Sequence, residues 1–240
     1  MKLRQIFHKL IAKVLFHIFR LFSKDQITLI KIKTRDDLQE IGTKYGGWVI
    51  PVNLLNENSI CYCVGCGEDI SFDLGLIKQF GCEVYAFDPT PRAIDYVTKN
   101  GKNIKYHFFD IGLWDKKDIL KFYVPKNPKH VSHSLLNLQK TENYIEINVD
   151  RLGEIMKHNG HNKLDLLKLD IEGAEYRVID SIIEDRIEIK VICVEFDECF
   201  NPLDDNFTKR IKVSVNKLIA FGYSLVCAQG NGNYTFVKDT

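Results

Sequence analysis

From Ser59 to Glu195 short apolar runs alternate with stretches of helical period, and this alternation restricts the chain to few folds. SICYCV, EVYAF, IKYHFF, LDLLKL and IKVICVE have the length and β-branched or aromatic content of strands. The spacing predicts strands at Ser59 to Val64, Glu83 to Phe87, Ile104 to Phe109, Leu164 to Leu169 and Ile189 to Glu195, most of them followed by helices. Parallel strands need crossover helices, so the expected class is α/β with a mostly parallel sheet. With 240 residues, 45% of them hydrophobic, the chain can bury the core of one domain.

The rhythm changes between Asp110 and Asp150. ILKFYV and YIEINV read as strands separated by the polar loop PKNPKHVSHSLLNLQKTEN, and a loop of that length is usually functional or mobile. Thr90 before Pro91 reads as a helix N-cap with proline in the first turn. Near the end, YSLVCAQ and NYTFVK flank an Asn-Gly pair that favours a tight hairpin, so the sheet is expected to finish antiparallel.

Gly65 and Gly67 follow the first strand, with a helix expected from about Asp69, which turns backbone N–H groups and a positive helix end toward whatever sits above the sheet. The pair is short of a dinucleotide fingerprint, since Ile70 stands where the third glycine belongs, and no Lys-Ser/Thr follows to make a P-loop. Asp88 ends the second strand, about 20 residues on, where a carboxylate can accept from a ribose diol. Val64 and Pro89 border the same place. Asp110 ends the third strand and could accept from an adenine amino group or cap the following turn. Cys61, Cys63, Cys66 and Cys82 lack the paired C-x-x-C or histidines of a zinc site and are expected to fill core.

Met1 to Lys24 carries Lys2, Arg4, Lys9, Lys13, Arg20 and Lys24 and no acid, with apolar residues at Ile6, Leu10, Val14, Ile18 and Phe22. Residues 1–24 thus read as a basic amphipathic helix preceding a single domain over 25–240. The helix is too charged to span a bilayer. It would lie on an anionic membrane surface, at the inner face, or pack on the domain or on a second subunit in a homo-oligomer. The remainder is slightly acidic, which argues against nucleic acid as a partner. Seven cysteines without a cleavable leader fit a reducing cytoplasm.

The most specific string is DLLKLDIEGAEYRVI, a strand ending in Asp170, a turn, and an amphipathic helix. Ligands of open parallel sheets sit at the carboxyl ends of the strands, so Asp170, Glu172, the glycine loop and Asp88 should surround one crevice. VGCGEDISFDLGL, CEVYAFDPTP and LLKLDIEGAE, in that order and reinforced by YGGWVIP and VSHS, resemble the FkbM-type methyltransferases of the class I S-adenosylmethionine-dependent enzymes. The resemblance covers about Ile41 to the C-terminus. It implies a seven-stranded Rossmann-like sheet with an antiparallel seventh strand. It also places a cofactor loop on Gly65 and Gly67, a ribose acid on Asp88, and a post-strand acidic motif on Asp170, Glu172 and Glu175. Many class I enzymes have an acid where Cys63 stands, so Glu68 or Asp69 is expected to take over part of the contact to the methionine end of the cofactor.

The acceptor suggested by the resemblance is a hydroxyl of a sugar or glycan precursor, and an alcohol benefits from a general base. The order of preference is His133, then Glu172, then Asp170. Each also has a structural role open to it: His133 in holding its loop, and Glu172 and Glu175 in satisfying free N–H groups at a helix start. Tyr45, Trp48, Ser132, His133 and Glu195 are the candidate acceptor contacts. Lys168, on a buried strand, should pair with a carboxylate. Asp170, Glu172 and Glu195 could hold Mg²⁺ through waters, but no metal is predicted. The alternatives are a nicotinamide-dependent oxidoreductase and a non-catalytic nucleotide-binding or membrane-docking module.

Overall fold

The computed structural model describes residues 30–126, 133–137, 139–200, 202–229 and 232–239. The expected helix over residues 1–24, Ser132 and the Asn231 of the hairpin turn lie outside them. A short antiparallel pair comes first, β1 (Leu38–Ile41) with β2 (Trp48–Pro51). The main sheet is built from β3 (Ile60–Val64), β4 (Glu83–Phe87), β5 (Tyr106–Phe109), β9 (Lys163–Leu169), β10 (Glu188–Glu195), β11 (Tyr223–Ala228) and β12 (Asn233–Lys238). Its order is β11-β12-β10-β9-β3-β4-β5, and β12 runs antiparallel to both neighbours while β5, β4, β3, β9 and β10 are parallel. The chain builds outward from β3 to one edge, then returns to β9 beside β3 and builds the other way. The switch point between β3 and β9 opens the crevice that holds the site.

The expected strands are present, and alternation along β3 sorts the residues between two cores. Tyr62 and Val64 join Phe87, Leu167 and Leu169 on one face, under α3 (Leu152–His158), α4 (Glu175–Glu184) and α5 (Phe207–Ala220). Cys61 and Cys63 face the other way, with Val84, Ala86 and Leu166, against α1 (Ser71–Phe80), α2 (Pro91–Asn100) and the β1–β2 hairpin. The cysteines there are free thiols in packed core, as expected. Each fully buried Val, Leu or Ile contributes about 1.5–3 kcal/mol, so Leu167→Ala in the central layer should cost about 2–5 kcal/mol.

Local chemistry sets the ends of the elements. Thr90 caps α2, its hydroxyl accepting from Ala93 N, with Pro91 in the first turn. β5 begins two residues later than expected, because the Asn103 side chain accepts from Lys105 N and holds a turn that leaves Ile104 exposed.

The segment between Asp110 and Asp150 forms a second sheet of three strands. β6 (Gly112–Trp114) pairs parallel with β8 (Tyr144–Arg151), which pairs antiparallel with β7 (Asp118–Tyr123). The sequence foreshadows β7 and β8 but not β6, which is three residues long. Among the described residues no helix is long and apolar enough to cross a membrane.

Candidate functional site

Above the carboxyl ends of β3, β4, β9 and β10 lies a cavity of about 330 Å³, at the lower end of the range usual for small-molecule sites. The second sheet forms its apolar wall, with Leu113, Phe122, Ile147 and Val149 facing Val64 and Phe87. The opposite wall is acidic: Asp170, Glu172, Glu195 and Asp197 follow the ends of β9 and β10, and Asp69 follows the glycine loop.

The glycine loop is fastened on both sides. Gly65 N donates to Phe87 O, and Asp170 N donates to Val64 O. Gly65 has φ +86°, and a Cβ there would stand 1.8 Å from the Asp170 carbonyl oxygen, so only glycine fits. Asp88, 6% exposed, clamps the loop: its Oδ2 accepts from Cys66 N and Gly67 N, and its Oδ1 from Thr90 N and Thr90 Oγ1. Those bonds occupy its four acceptor directions. Asp69 accepts from Thr43 Oγ1 at 2.6 Å and from Ser71 N at 2.8 Å, tying the β1–β2 loop to the cavity rim. Glu68 also lines the cavity and pairs with Arg92.

The turn after β9 carries backbone strain. Glu172 has φ +54° and Gly173 +100°, and a non-glycine residue in the left-handed region is a cost that clusters at functional sites. Ser134 Oγ donates to Glu172 O at 2.6 Å, and Leu136 packs so closely on Gly173 that a Cβ there would meet its Cδ1 at 3.1 Å. Glu175, fully buried, accepts from Ile171 N and Gly173 N, so the turn is stitched from within. Burial raises the Glu175 carboxyl to about 8 even against those N–H bonds.

Lys168 is buried, as expected, with its Nζ 3.1 Å from Asp170 Oδ2 and bonded to Gly65 O. Burial works against its charge, but Asp170 and Asp73 outweigh it and raise its pKa. The Glu195 carboxyl is also pushed up, to about 9, by burial first and by the Asp170 charge next, which in an acid favours the neutral form. Asp197, 6% exposed, lies well above the usual carboxylate range through burial and the neighbouring Glu172, Glu175, Asp170 and Glu195.

Of the residues singled out in the sequence, Val64, Gly65, Gly67, Glu68, Asp69, Asp88, Pro89, Asp170, Glu172, Glu195, His133 and Tyr45 line this one cavity. His133 is buried, its ring 5.7 Å from that of Phe122. Tyr45 is 81% exposed at the mouth. Asp110 is not brought in: it is exposed beyond β5, the edge strand, where the chain turns toward β6. Trp48 is 2% exposed and belongs to the core beneath the hairpin. Sequence reasoning missed Asp197 and the exposed Phe200 at the mouth. The spacing of Glu195 and Asp197, two apart at a strand end, was the available signal.

S-adenosylmethionine carries a flat adenine and two positive groups, the ammonium and the sulfonium. An apolar wall facing an acidic one fits that chemistry. Sheet order, glycine loop and cavity together define a class I, Rossmann-like methyltransferase domain. A model of the methyltransferase FkbM domain matches residues 49–218, and the chain belongs to that family. Its cofactor is therefore S-adenosylmethionine, which decides against the nicotinamide alternative.

The curated protein named "Probable methyltransferase-like protein 24" is similar in Homo sapiens, 29% identical over 135 residues (55% of this chain, 31% of that protein). Its Rattus norvegicus counterpart is 30% identical over 129 residues (53% and 29%). The chain thus matches about a third of the length of these relatives. Among solved structures, precorrin-6y C5,15-methyltransferase from Geobacter metallireducens has a TM-score of 0.44 at 13% identity, covering 77% of this chain and 82% of that one. Aeropyrum pernix fibrillarin, crystallised with S-adenosylmethionine, has 0.42 at 9% identity, covering 87% and 85%.

Proposed function

We propose that the protein transfers a methyl group from S-adenosylmethionine to a hydroxyl of a sugar or glycan precursor. The observation that carries this reading is the mouth of the cavity, where exposed aromatic faces, Tyr45 and Phe200, stand beside acids. Aromatic faces stack on the C–H faces of sugar rings, and carboxylates accept from hydroxyls. The same acids repel a phosphate backbone, which supports a small-molecule or glycan acceptor over nucleic acid.

When bound, S-adenosylmethionine supplies an electrophilic methyl group, and the chain's own residues bind, align and move a proton. Val64, Phe87 and the second sheet receive the adenine. Asp69 and the glycine loop receive the methionine end. Asp88 positions that loop and reaches the ribose diol by exchanging its Thr90 bonds. His133 is the preferred acceptor of the hydroxyl proton, followed by Glu172. Asp170 ranks last because its charge is taken up by Lys168.

The test is titration calorimetry with S-adenosylmethionine, followed by mass detection of methylated product and S-adenosylhomocysteine across free sugars and sugar nucleotides. Micromolar binding and a product 14 mass units heavier than a hydroxyl-bearing acceptor are expected. No binding at millimolar cofactor would sink the reading, and binding without turnover of any acceptor would favour the non-catalytic module.

A further inference from the structure

Three carboxylates from two strand ends converge above the sheet. Asp170 follows β9, Glu195 ends β10 and Asp197 lies two residues further on; one oxygen of each lies within 4.8 Å of the others. Among the described residues lining the cavity, Lys168 is the one lysine or arginine, and its Nζ is already bonded to Asp170 Oδ2 and Gly65 O. Like charges this close, partly withdrawn from water, cannot all ionise without a positive partner. Ionised together, the three would carry three negative charges against the one that Lys168 returns. A doubly charged cation closes the balance.

A separate observation points the same way. Asp197 is more than nine-tenths buried, it lines the cavity, and its Oδ2 has no hydrogen-bond partner among the described residues. Burying a carboxylate oxygen with nothing to accept from costs about 1–3 kcal/mol or more. Backbone N–H groups solve that problem for Glu175 and for Asp88, its neighbours in the same site. The Asp197 side chain instead meets another acid, the Glu175 carboxyl, and its Oδ2 has no partner among the described residues.

We propose that Asp170, Glu195 and Asp197 bind one divalent cation of the oxygen-seeking class, Mg²⁺, Mn²⁺ or Ca²⁺, with its remaining positions turned to the cavity. The donor set is all carboxylate, with no imidazole or thiolate to favour zinc. Ca²⁺, bound at about 2.3–2.6 Å, needs only a small closing of a trio whose oxygens lie within 4.8 Å of one another. Mg²⁺, at about 2.0–2.1 Å, draws the three together. The site itself is independent of the reaction proposed above. Its use rests on that reading: a cation there holds an acceptor hydroxyl and lowers its pKa, easing transfer of the proton to His133.

The test uses the full-length protein freed of metal with a chelator, and Mn²⁺ alone as probe. Loss of the free-Mn²⁺ electron paramagnetic resonance signal should report one bound ion per chain in the absence of any cofactor, displaced by Ca²⁺ and Mg²⁺. Asp197→Asn should weaken binding at least tenfold. Glu195→Gln is the second variant in case the first does not fold, and exposed Glu57→Gln should bind as wild type does. Wild type that leaves millimolar Mn²⁺ free, or a folded Asp197→Asn with unchanged affinity, overturns the proposal. Mn²⁺ binding by a protein that fails to bind S-adenosylmethionine would sink the methyltransfer reading and leave the cation site standing.

Discussion

Gly65 and Asp170 meet where the cofactor loop crosses the end of β9: a Cβ on residue 65 would stand 1.8 Å from the Asp170 carbonyl oxygen. Neither backbone can yield easily, since Gly65 N is bonded to Phe87 O and Asp170 N to Val64 O. Gly65→Ala combines this clash with a strained φ of +86°. It should cost about 3 kcal/mol of stability and weaken S-adenosylmethionine at least a hundredfold. Urea unfolding and calorimetry measure the two effects. Wild-type affinity in the variant would show that the loop is not the cofactor floor.

Asp88→Asn keeps shape and removes acceptors. An amide has one oxygen and one NH₂, so either the Cys66 and Gly67 pair or the Thr90 pair must face a donor. Orphaning buried N–H groups costs about 1–3 kcal/mol each. The expected result is a loss of about 2 kcal/mol by thermal unfolding together with a ten- to hundredfold weaker cofactor. Lost affinity at full stability would instead mean that Asp88 acts on the ribose and not on the loop.

Much of this architecture is legible in the sequence because buried parallel strands write themselves as continuous apolar runs, as ICYCV and VICV do. The second sheet was harder to read. β7 is half-exposed and β6 is three residues long, so the wall that closes the cavity was foreseen as two strands and a loop. Asp110 was overvalued because a strand-end position says nothing about which strand sits at the edge, and β5 does. Trp48 looked like a site aromatic, yet β2 turns it into the core. Asp197 was overlooked because it lies just past the end of β10. The two-residue spacing from Glu195 marks it as a strand-end acid, but that this end adjoins Asp170 comes from the pairing of β10 beside β9, which local spacing does not carry.

Arg210 is the partner that makes Glu198 tolerable. Glu198 is fully buried and its carboxylate takes both Arg210 Nε and Nη2, the bidentate geometry that holds planar charges best. Removing the cation alone leaves a buried charge uncompensated. Arg210→Met should therefore destabilise by about 3–5 kcal/mol, while Arg210→Met with Glu198→Gln should recover part of that loss. Urea unfolding decides it, and a single variant within 1 kcal/mol of wild type would refute the arrangement.

His161 should make the fold acid-sensitive. Asn159 Nδ2 donates to Tyr62 Oη, which lies 2.8 Å from His161 Nδ1. Burial first, and the nearby His107 second, lower the His161 pKa below its ordinary 6.5; His107 itself faces Glu83. With the folded pKa below the unfolded one, both states are neutral well above pH 6.5 and the group has no effect there. As pH falls through 6.5 the unfolded chain takes the proton first, so stability declines until the folded pKa is passed. Urea unfolding between pH 7.5 and 5.5 should show wild type losing more stability than His161→Gln over that window. Parallel losses in the two proteins would exclude His161 as the sensitive group.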